Sequence, residues 1–311
     1  MTFRMGINQF ADMTFKEYKE TFVMNDSLAE TYKEITNDTQ FYPLVVFNSR
    51  KHESGDVPKS FDWRDRGAVT RVRDQHLCGS CYAFAAVAAI EGRWFIKRGE
   101  LVDLSVQEIV DCSEEKYLAF KCAGGSTLKV FDYVKDHGIS SEASYRDEGQ
   151  AGRCRKKENR IRHLIKGWGL VYTRSEELAL EKGLSIIGPL AVAIDINFES
   201  FMRYSSGIYY EENCTEITSH SVLLVGYGSE GGQDFWIIKN SFGSKWGERG
   251  YLRLARNRGN GCGILTEPIY PVIRKKPQIR PISVSAFFED FQDFFKNFMK
   301  SDTTLYEYDE E

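Results

Sequence analysis

One short stretch, Gln75 to Phe84, limits the folds available to this chain more than any other part of the sequence. It reads QHLCGSCYAF, and its second cysteine, Cys81, stands just before an apolar, helix-forming run from Ala83 to Ile90. A thiol at that point lies at the positive end of a helix dipole, which favours the thiolate. The sequence therefore predicts a reactive cysteine at the N-terminus of a buried helix.

Two polar residues far along the chain complete the set that a cysteine-dependent hydrolase needs. His220 precedes the apolar run Ser221–Val225, and Asn240 follows the run that starts at Phe235. A histidine serves as the proton shuttle and an amide orients it. A lone histidine before a strand is more often structural, and a lone asparagine is usually a turn residue. The prediction therefore rests on the three residues together.

These residues lie in motifs that resemble those of the papain and cathepsin family of cysteine proteases. The motifs are Q-x-x-C-G-S-C-[WY]-A-F from Gln75, H-[SA]-V-x-x-V-G-Y-G from His220 and N-S-[WF]-G-x-x-W-G-x-x-G-Y from Asn240. The resemblance covers roughly residues 57–273 and a short segment at 5–18. It implies an α+β, papain-like fold of two subdomains, with the active-site cleft between a helical left half and a β-barrel-like right half.

The expected halves are about 57–165 and about 166–273. In the first, the patterns predict helices, and in the second they predict mainly short strands. The expected helices are 83–97, 105–111, 127–136 and 176–183, and the expected strands are 190–194, 221–225, 235–238 and 250–254. Ser105 and Glu108 predict a capping box at the second helix.

The resemblance implies a catalytic role for four residues. Cys81 is the nucleophile, paired with His220 as thiolate and imidazolium, and Asn240 fixes the imidazole. Gln75 and the Cys81 backbone N–H form the oxyanion hole. The expected function is a cysteine endopeptidase that works through a thioester acyl-enzyme and is made as a zymogen.

The alternative is a catalytically weak homologue that acts as a binding protein. Three departures from the family's pattern keep this alternative open: His76 replaces a glycine, Tyr82 replaces a tryptophan, and Phe242 replaces the tryptophan that shields the histidine–asparagine bond. Phenylalanine is still apolar, so we expect a weakened shield rather than a lost one.

Substrate contacts are also implied by the resemblance. The expected substrate-binding residues are Gly124, Gly125, Ser126, Thr127, Ser221, Glu267, Phe242 and Trp246. Glu267 falls at the base of the pocket for the P2 side chain, so we expect arginine as well as apolar residues there; the alternative is a solvated glutamate beside Pro268. The interval from Cys112 to Cys122 is too short for an occluding loop, which favours an endopeptidase.

The chain has seven cysteines, of which six could pair and one would remain. Spacing alone cannot choose among the connectivities, and reduced core thiols, a redox pair or half a zinc site at Cys78 and Cys81 are the alternatives. The resemblance implies the pairs Cys78–Cys122, Cys112–Cys154 and Cys214–Cys262, with Cys81 free. Disulfides favour a lysosomal or secreted protein, although Met1–Phe10 lacks the apolar core of a signal peptide.

Residues 1–56 are expected to be a partial inhibitory pro-region. Gly6–Asp12 reads GINQFAD, which resembles the G-x-N-x-F-x-D segment of cathepsin L-like zymogens, without the long helices that precede it there. In that family the pro-region inhibits its own enzyme by crossing the cleft. We expect cleavage near Asp56 or Val57; the alternative is an unrelated polar arm.

Residues 274–311 are expected to be a C-terminal extension. Phenylalanines recur at helical spacing in a Phe-rich amphipathic helix at about 285–300. This helix could pack on the protein's own surface, dock a partner, lie disordered or associate with a membrane.

Composition and charge exclude several classes of protein. Formal net charge is −4 with no basic block, so we expect no nucleic-acid partner. No apolar run approaches the roughly 18 residues of a membrane span. Protein and peptide substrates are the expected partners, and neither a cofactor nor a metal is expected.

Overall fold

The fold is that of a computed structural model, which describes residues 3–23, 44–49, 57–113, 115–155, 161–173 and 176–275. The expected Phe-rich helix at about 285–300 and the cleavage junction at Asp56 lie outside these residues. Residues up to Lys275 belong to one compact unit.

The helices agree closely with the sequence patterns. They are α1 (Phe15–Phe22), α2 (Cys81–Arg98), α3 (Val106–Cys112), α4 (Thr127–His137), α5 (Glu177–Ile187) and α6 (Glu199–Met202). The α2 to α5 helices are the four that the sequence predicts. Gly99, in a left-handed conformation, ends α2.

The predicted capping box at α3 is half right. The Ser105 side chain accepts a hydrogen bond from the Glu108 backbone N–H at 3.0 Å, as expected of an N-cap. The prediction that the Glu108 side chain accepts from the Ser105 N–H in return is wrong. The Glu108 carboxylate instead accepts from the Ser140 N–H at 3.0 Å and pairs with Arg162 at 2.6 Å. The carboxylate is fully buried, and a buried charge needs an opposite charge more than a capping bond.

Within the described residues, ten strands form one sheet. They are β1 (Phe3–Met5), β2 (Val45–Asn48), β3 (Phe61–Asp62), β4 (Gly167–Tyr172), β5 (Leu190–Ile194), β6 (Tyr204–Tyr209), β7 (His220–Glu230), β8 (Gln233–Lys239), β9 (Tyr251–Ala255) and β10 (Ile269–Val272). Their order is β1-β6-β9-β8-β7-β5-β10-β4-β2, with β3 added beside β7.

This sheet corrects the expectation of a barrel-like half. A barrel requires its first and last strands to pair. Among the described residues, β1 pairs with β6 and β2 pairs with β4, so the sheet does not close. Both end strands come from the N-terminal 56 residues, whose place in the sheet the sequence patterns did not predict.

The α2 helix packs against both the sheet and two neighbouring helices. It contacts β5, β7 and β10 on one side and α3 and α4 on the other. Its run from Tyr82 to Ala86 is buried, as a helix covered on most sides must be. This packing holds Cys81, at its first turn, against the start of β7.

Candidate active site

Cys81 is the first residue of α2. All seven cysteines lie in the described part of the chain, and Cys81 is the one left free. The other six pair as Cys78–Cys122, Cys112–Cys154 and Cys214–Cys262, which are the pairs that the resemblance implies. The Ser80 side chain makes no capping bond, so it does not occupy the positive end of the helix beside the thiol.

His220 and Asn240 meet across two paired strands. His220 is the first residue of β7, and Asn240 directly follows the last residue of β8. His220 Nε2 lies 2.8 Å from Asn240 Oδ1, and both side chains are buried. Because Asn240 Oδ1 can only accept, Nε2 carries the proton. Within the described residues His220 Nδ1 has no hydrogen-bond partner, so this nitrogen is available to a neighbouring thiol.

Cys81 lies beside this pair. The Cys81 thiol accepts backbone hydrogen bonds from Tyr82 and from Ser221, which is the residue after His220. The α2 helix also packs directly on β7. The structure therefore brings together Cys81, His220 and Asn240, which the sequence keeps far apart.

Burial shifts the pKa of both titrating groups in the direction that favours their neutral forms. Burial raises the pKa of the Cys81 thiol, and the backbone hydrogen bonds from Ser221 and Tyr82 only partly oppose it. Burial also lowers the pKa of His220 to about 4, although its bond to Asn240 acts in the opposite direction. These shifts favour the thiol and the neutral imidazole. The predicted thiolate–imidazolium pair therefore requires a more open site than this one.

The N-terminal segment is what closes the site. Glu20 to Val23 line a cavity of about 150 Å³ that also contains Cys81, Gly124 and Gly125. The Gln9 side-chain amide donates to the Phe242 carbonyl, and Asn8 donates to Met202 O at 2.9 Å. The segment therefore lies on the side chains that the resemblance assigns to catalysis and substrate binding.

Phe242 forms the wall between His220 and the N-terminal segment. Its ring centroid lies 4.9 Å from that of His220, and the ring is fully buried. Phe10 and Phe22 pack against its other side, with centroids 5.2 and 5.0 Å away. Trp246 lies edge-on to Phe242 at 5.6 Å with no exposed surface. In this covered state His220 is only 1% exposed, with phenylalanine at position 242.

Gln75 lies between the cysteine and asparagine segments. Its Nε2 donates to Cys78 O at 2.9 Å, and its Oε1 accepts from the Ser241 hydroxyl at 2.5 Å. The Gln75 N–H donates to Ser241 O at 2.8 Å. Sequence reasoning missed the role of Ser241, which stands second in the asparagine motif. These bonds fix the Gln75 amide and leave its second Nε2 hydrogen for an oxyanion.

A second, smaller cavity of about 60 Å³ adjoins the first. The predicted contacts Gly125, Ser126, Thr127, Ser221 and Glu267 all line it, together with small apolar side chains of β5. The Thr127 hydroxyl donates to that of Ser221 at 2.9 Å. Burial raises the pKa of Glu267 to about 7, because no neighbouring charge compensates its desolvation.

His76 lies outside both of these cavities. It has a positive φ of 51°, its imidazole packs on Gly149, and Nδ1 is 4.0 Å from Asp74 Oδ1. It lines a separate, polar cavity of about 440 Å³ together with Gln9 and Asp147. His76 therefore shares a cavity with Gln9 and Asp147 and does not line the cavity that contains Cys81.

Two general features complete the description of the site. Within the described ranges, no helix combines the length and apolar character needed to cross a bilayer. The described residues also contain no cluster of three or more histidine, cysteine, aspartate or glutamate side chains that could hold a metal ion.

Comparison with known proteins agrees with this geometry. The model of the papain family cysteine proteases matches residues 57–272. Digestive cysteine proteinase 3 of Homarus americanus is 43% identical over 275 residues, which are 88% of this chain and 81% of the relative. Cathepsin L of Sarcophaga peregrina is 43% identical over 276 residues, 88% and 79% of the two chains.

Solved structures of precursors are also similar. Digestive procathepsin L 3 of the Tenebrio molitor larval midgut has a TM-score of 0.75 and 36% identity, covering 88% of this chain and 84% of its own. The proform of the ragweed pollen cysteine protease Amb a 11 has a TM-score of 0.76 and 34% identity, covering 89% and 83%. The papain-like fold that the sequence predicts is thus confirmed, and the chain belongs to the papain family of cysteine proteases.

Proposed function

We propose that this papain-family peptidase is an endopeptidase made as a zymogen, with Cys81, His220 and Asn240 as its catalytic triad. The observation that carries the proposal is the 2.8 Å contact between His220 and Asn240 beside the free thiol at the start of α2. The peptidase domain is 57–273, residues 1–56 are the pro-region, and 274–311 form an extension.

The reaction follows from these positions. The Cys81 thiolate attacks the scissile carbonyl carbon, and the developing oxyanion accepts hydrogen bonds from the Cys81 backbone N–H and from Gln75 Nε2. His220 gives its proton to the leaving amine, which departs and leaves a thioester on Cys81. His220 then takes a proton from water, and the hydroxide releases the acyl group. Asn240 holds the imidazole in the required tautomer throughout.

The pro-region inhibits in two ways. It excludes substrate, because Phe22 and its neighbours form one wall of the cavity beside Cys81 and Gly125, which has a volume of only about 150 Å³. It also removes water from the site, which shifts Cys81 and His220 towards their neutral forms. Departure of the pro-region restores water and with it the ion pair. We place the active enzyme in a lysosome or outside the cell, as the names of its digestive and cathepsin relatives suggest.

The experiment that tests this function uses the full chain, matured at about pH 5 and supplied with a denatured protein substrate. We expect internal peptide bonds to be cut, with fragments of many lengths seen by mass spectrometry. Stepwise release of residues from one end would contradict endopeptidase action. Absence of any hydrolysis would favour the binding homologue.

Glu267 gives this enzyme a pH-dependent choice of P2 residue. With a pKa of about 7, its carboxyl is mostly neutral at pH 5.5 and mostly ionised at pH 8. An arginine at P2 gains a charge-assisted bond only with the ionised form. We therefore expect the ratio of kcat/KM for an Arg-Arg substrate to that for a Phe-Arg substrate to rise about tenfold between these pH values.

The matched control for this prediction is Glu267→Gln, which keeps the shape of the side chain and removes the charge. In that variant the ratio should be low and independent of pH. Equal pH dependence in the two proteins would show that Glu267 does not contact the P2 side chain.

A further inference from the structure

The outermost strand at each end of the ten-stranded sheet comes from the N-terminal segment. β1 pairs with β6 at one end, and β2 pairs with β4 at the other. β1 leads along the chain into residues that cover the active site, since Phe10 and Phe22 contact Phe242. Among the described residues, those of β2 do not line the cavity that contains Cys81.

The β2 strand is built into the sheet rather than laid on its surface. It runs parallel to β4, with Val45 opposite Gly169 and Asn48 opposite Tyr172. The Leu44 N–H donates to Trp168 O at 2.8 Å, which extends the pairing by one residue. On its other side β4 pairs with β10, so loss of β2 would leave β4 as an open edge.

One side chain anchors this strand. Phe47, opposite Val171, is only 7% exposed and belongs to the same buried cluster as Leu180 and Leu184 of α5. Its neighbours Val45 and Val46 are about half exposed. Removal of the strand would therefore open both a row of backbone hydrogen-bonding groups and an apolar hole the size of a phenylalanine ring.

We propose that the outer edge of β4 and the Phe47 hole form a second docking site for the pro-region, which holds the segment Leu44–Asn48 after the chain is cut near Val57. An open edge with an adjacent apolar pocket binds an extended peptide by strand addition. The segment that fits it in register and side chain is the one already seated there. This inference rests on the proposed zymogen, and it makes the cut pro-region a two-site ligand of the enzyme.

The experiment measures how fast the cut pro-region leaves. The full chain carries Cys81→Ala, to prevent self-processing, and a specific cleavage site inserted just before Val57. After cutting, release of the fragment is followed by gel filtration, and amide exchange is measured over residues 167–172. We expect Phe47→Ala to speed release at least tenfold and to increase exchange in β4, whereas Val45→Ala, on the same strand, changes release by less than twofold.

A second variant covers the case in which Phe47→Ala disturbs the uncut protein. Adjacent N–H groups of a strand point to opposite sides, so Val45→Pro/Val46→Pro removes one bond to β4 in either register without touching the core. It should also speed release about tenfold. Unchanged release and unchanged exchange in both variants would overturn the proposal. Neither readout needs activity, so a wild-type chain without peptidase activity would refute the proposed function alone.

Discussion

Replacing Cys81 by alanine is expected to lower kcat/KM for peptide hydrolysis by a factor of about 10⁴ or more. In the proposed mechanism the thiol forms the acyl-enzyme, so its loss leaves only the oxyanion hole and substrate binding to assist water. The variant should retain its three disulfides and its fold, since Cys81 is the cysteine that is not paired.

The measurement uses a fluorogenic Phe-Arg peptide at about pH 5.5, with both proteins cut at the same inserted site before Val57. The matched control is Leu77→Ala, a change in the same loop at an exposed side chain, which should keep nearly full activity. Activity in Cys81→Ala above about one per cent of wild type would exclude Cys81 as the nucleophile.

The substitution Phe22→Ala is expected to make the zymogen activate itself at least tenfold faster. Phe22 is 3% exposed and packs on Phe10 and Phe242, with ring centroids 5.2 and 5.0 Å away. Replacing a buried phenylalanine by alanine lowers stability by about 3–5 kcal/mol. Here much of that loss destabilises the state in which the N-terminal segment covers the active site. The proposed cleavage near Val57 removes residue 22 from the matured enzyme, so its own kcat/KM should be unchanged.

Self-processing is followed by gel electrophoresis after the pH is lowered to about 5. The matched control is Lys16→Ala on the same helix, where the side chain is 85% exposed. Lys16→Ala should process at the wild-type rate. If Phe22→Ala also processed at that rate, the aromatic contacts with Phe242 would not hold the pro-region in place.

The local features of the fold were predictable because short-range signals determine them. The position of Cys81 at the start of α2 follows from the apolar run behind it, and Ser105 caps α3 because its hydroxyl reaches an N–H three residues away. The positions of Cys81, His220 and Asn240 were predictable from their motifs, since each motif places one side chain at the end of a regular element.

The remaining features depend on contacts that no local pattern encodes. β1 and β2 are short strands whose pairing is set by β6 and β4, more than a hundred residues later. The carboxylate of Glu108 pairs with Arg162 instead of completing the capping box, because the carboxylate is buried. The shifted pKa values of Cys81 and His220 arise from burial in the folded protein, and a motif carries no information about desolvation.

We propose that the pro-region covers a Cys81–His220 pair and keeps it neutral. The measurement that tests it most directly is the rate of alkylation of Cys81 by iodoacetamide as a function of pH, before and after the pro-region is removed. Cys81 is the one free thiol, so labelling reports on it alone, and Cys81→Ala supplies the blank.

The pH profile distinguishes a thiol that is unreactive because it is neutral from a thiol that the reagent cannot reach. With the thiol pKa raised and the His220 pKa lowered to about 4, we expect the full chain to react slowly at pH 5.5 and faster only at alkaline pH. The matured enzyme should react rapidly from about pH 4 upwards, as a thiolate–imidazolium pair does. Equal rates at pH 5.5 before and after removal of the pro-region would contradict the claim.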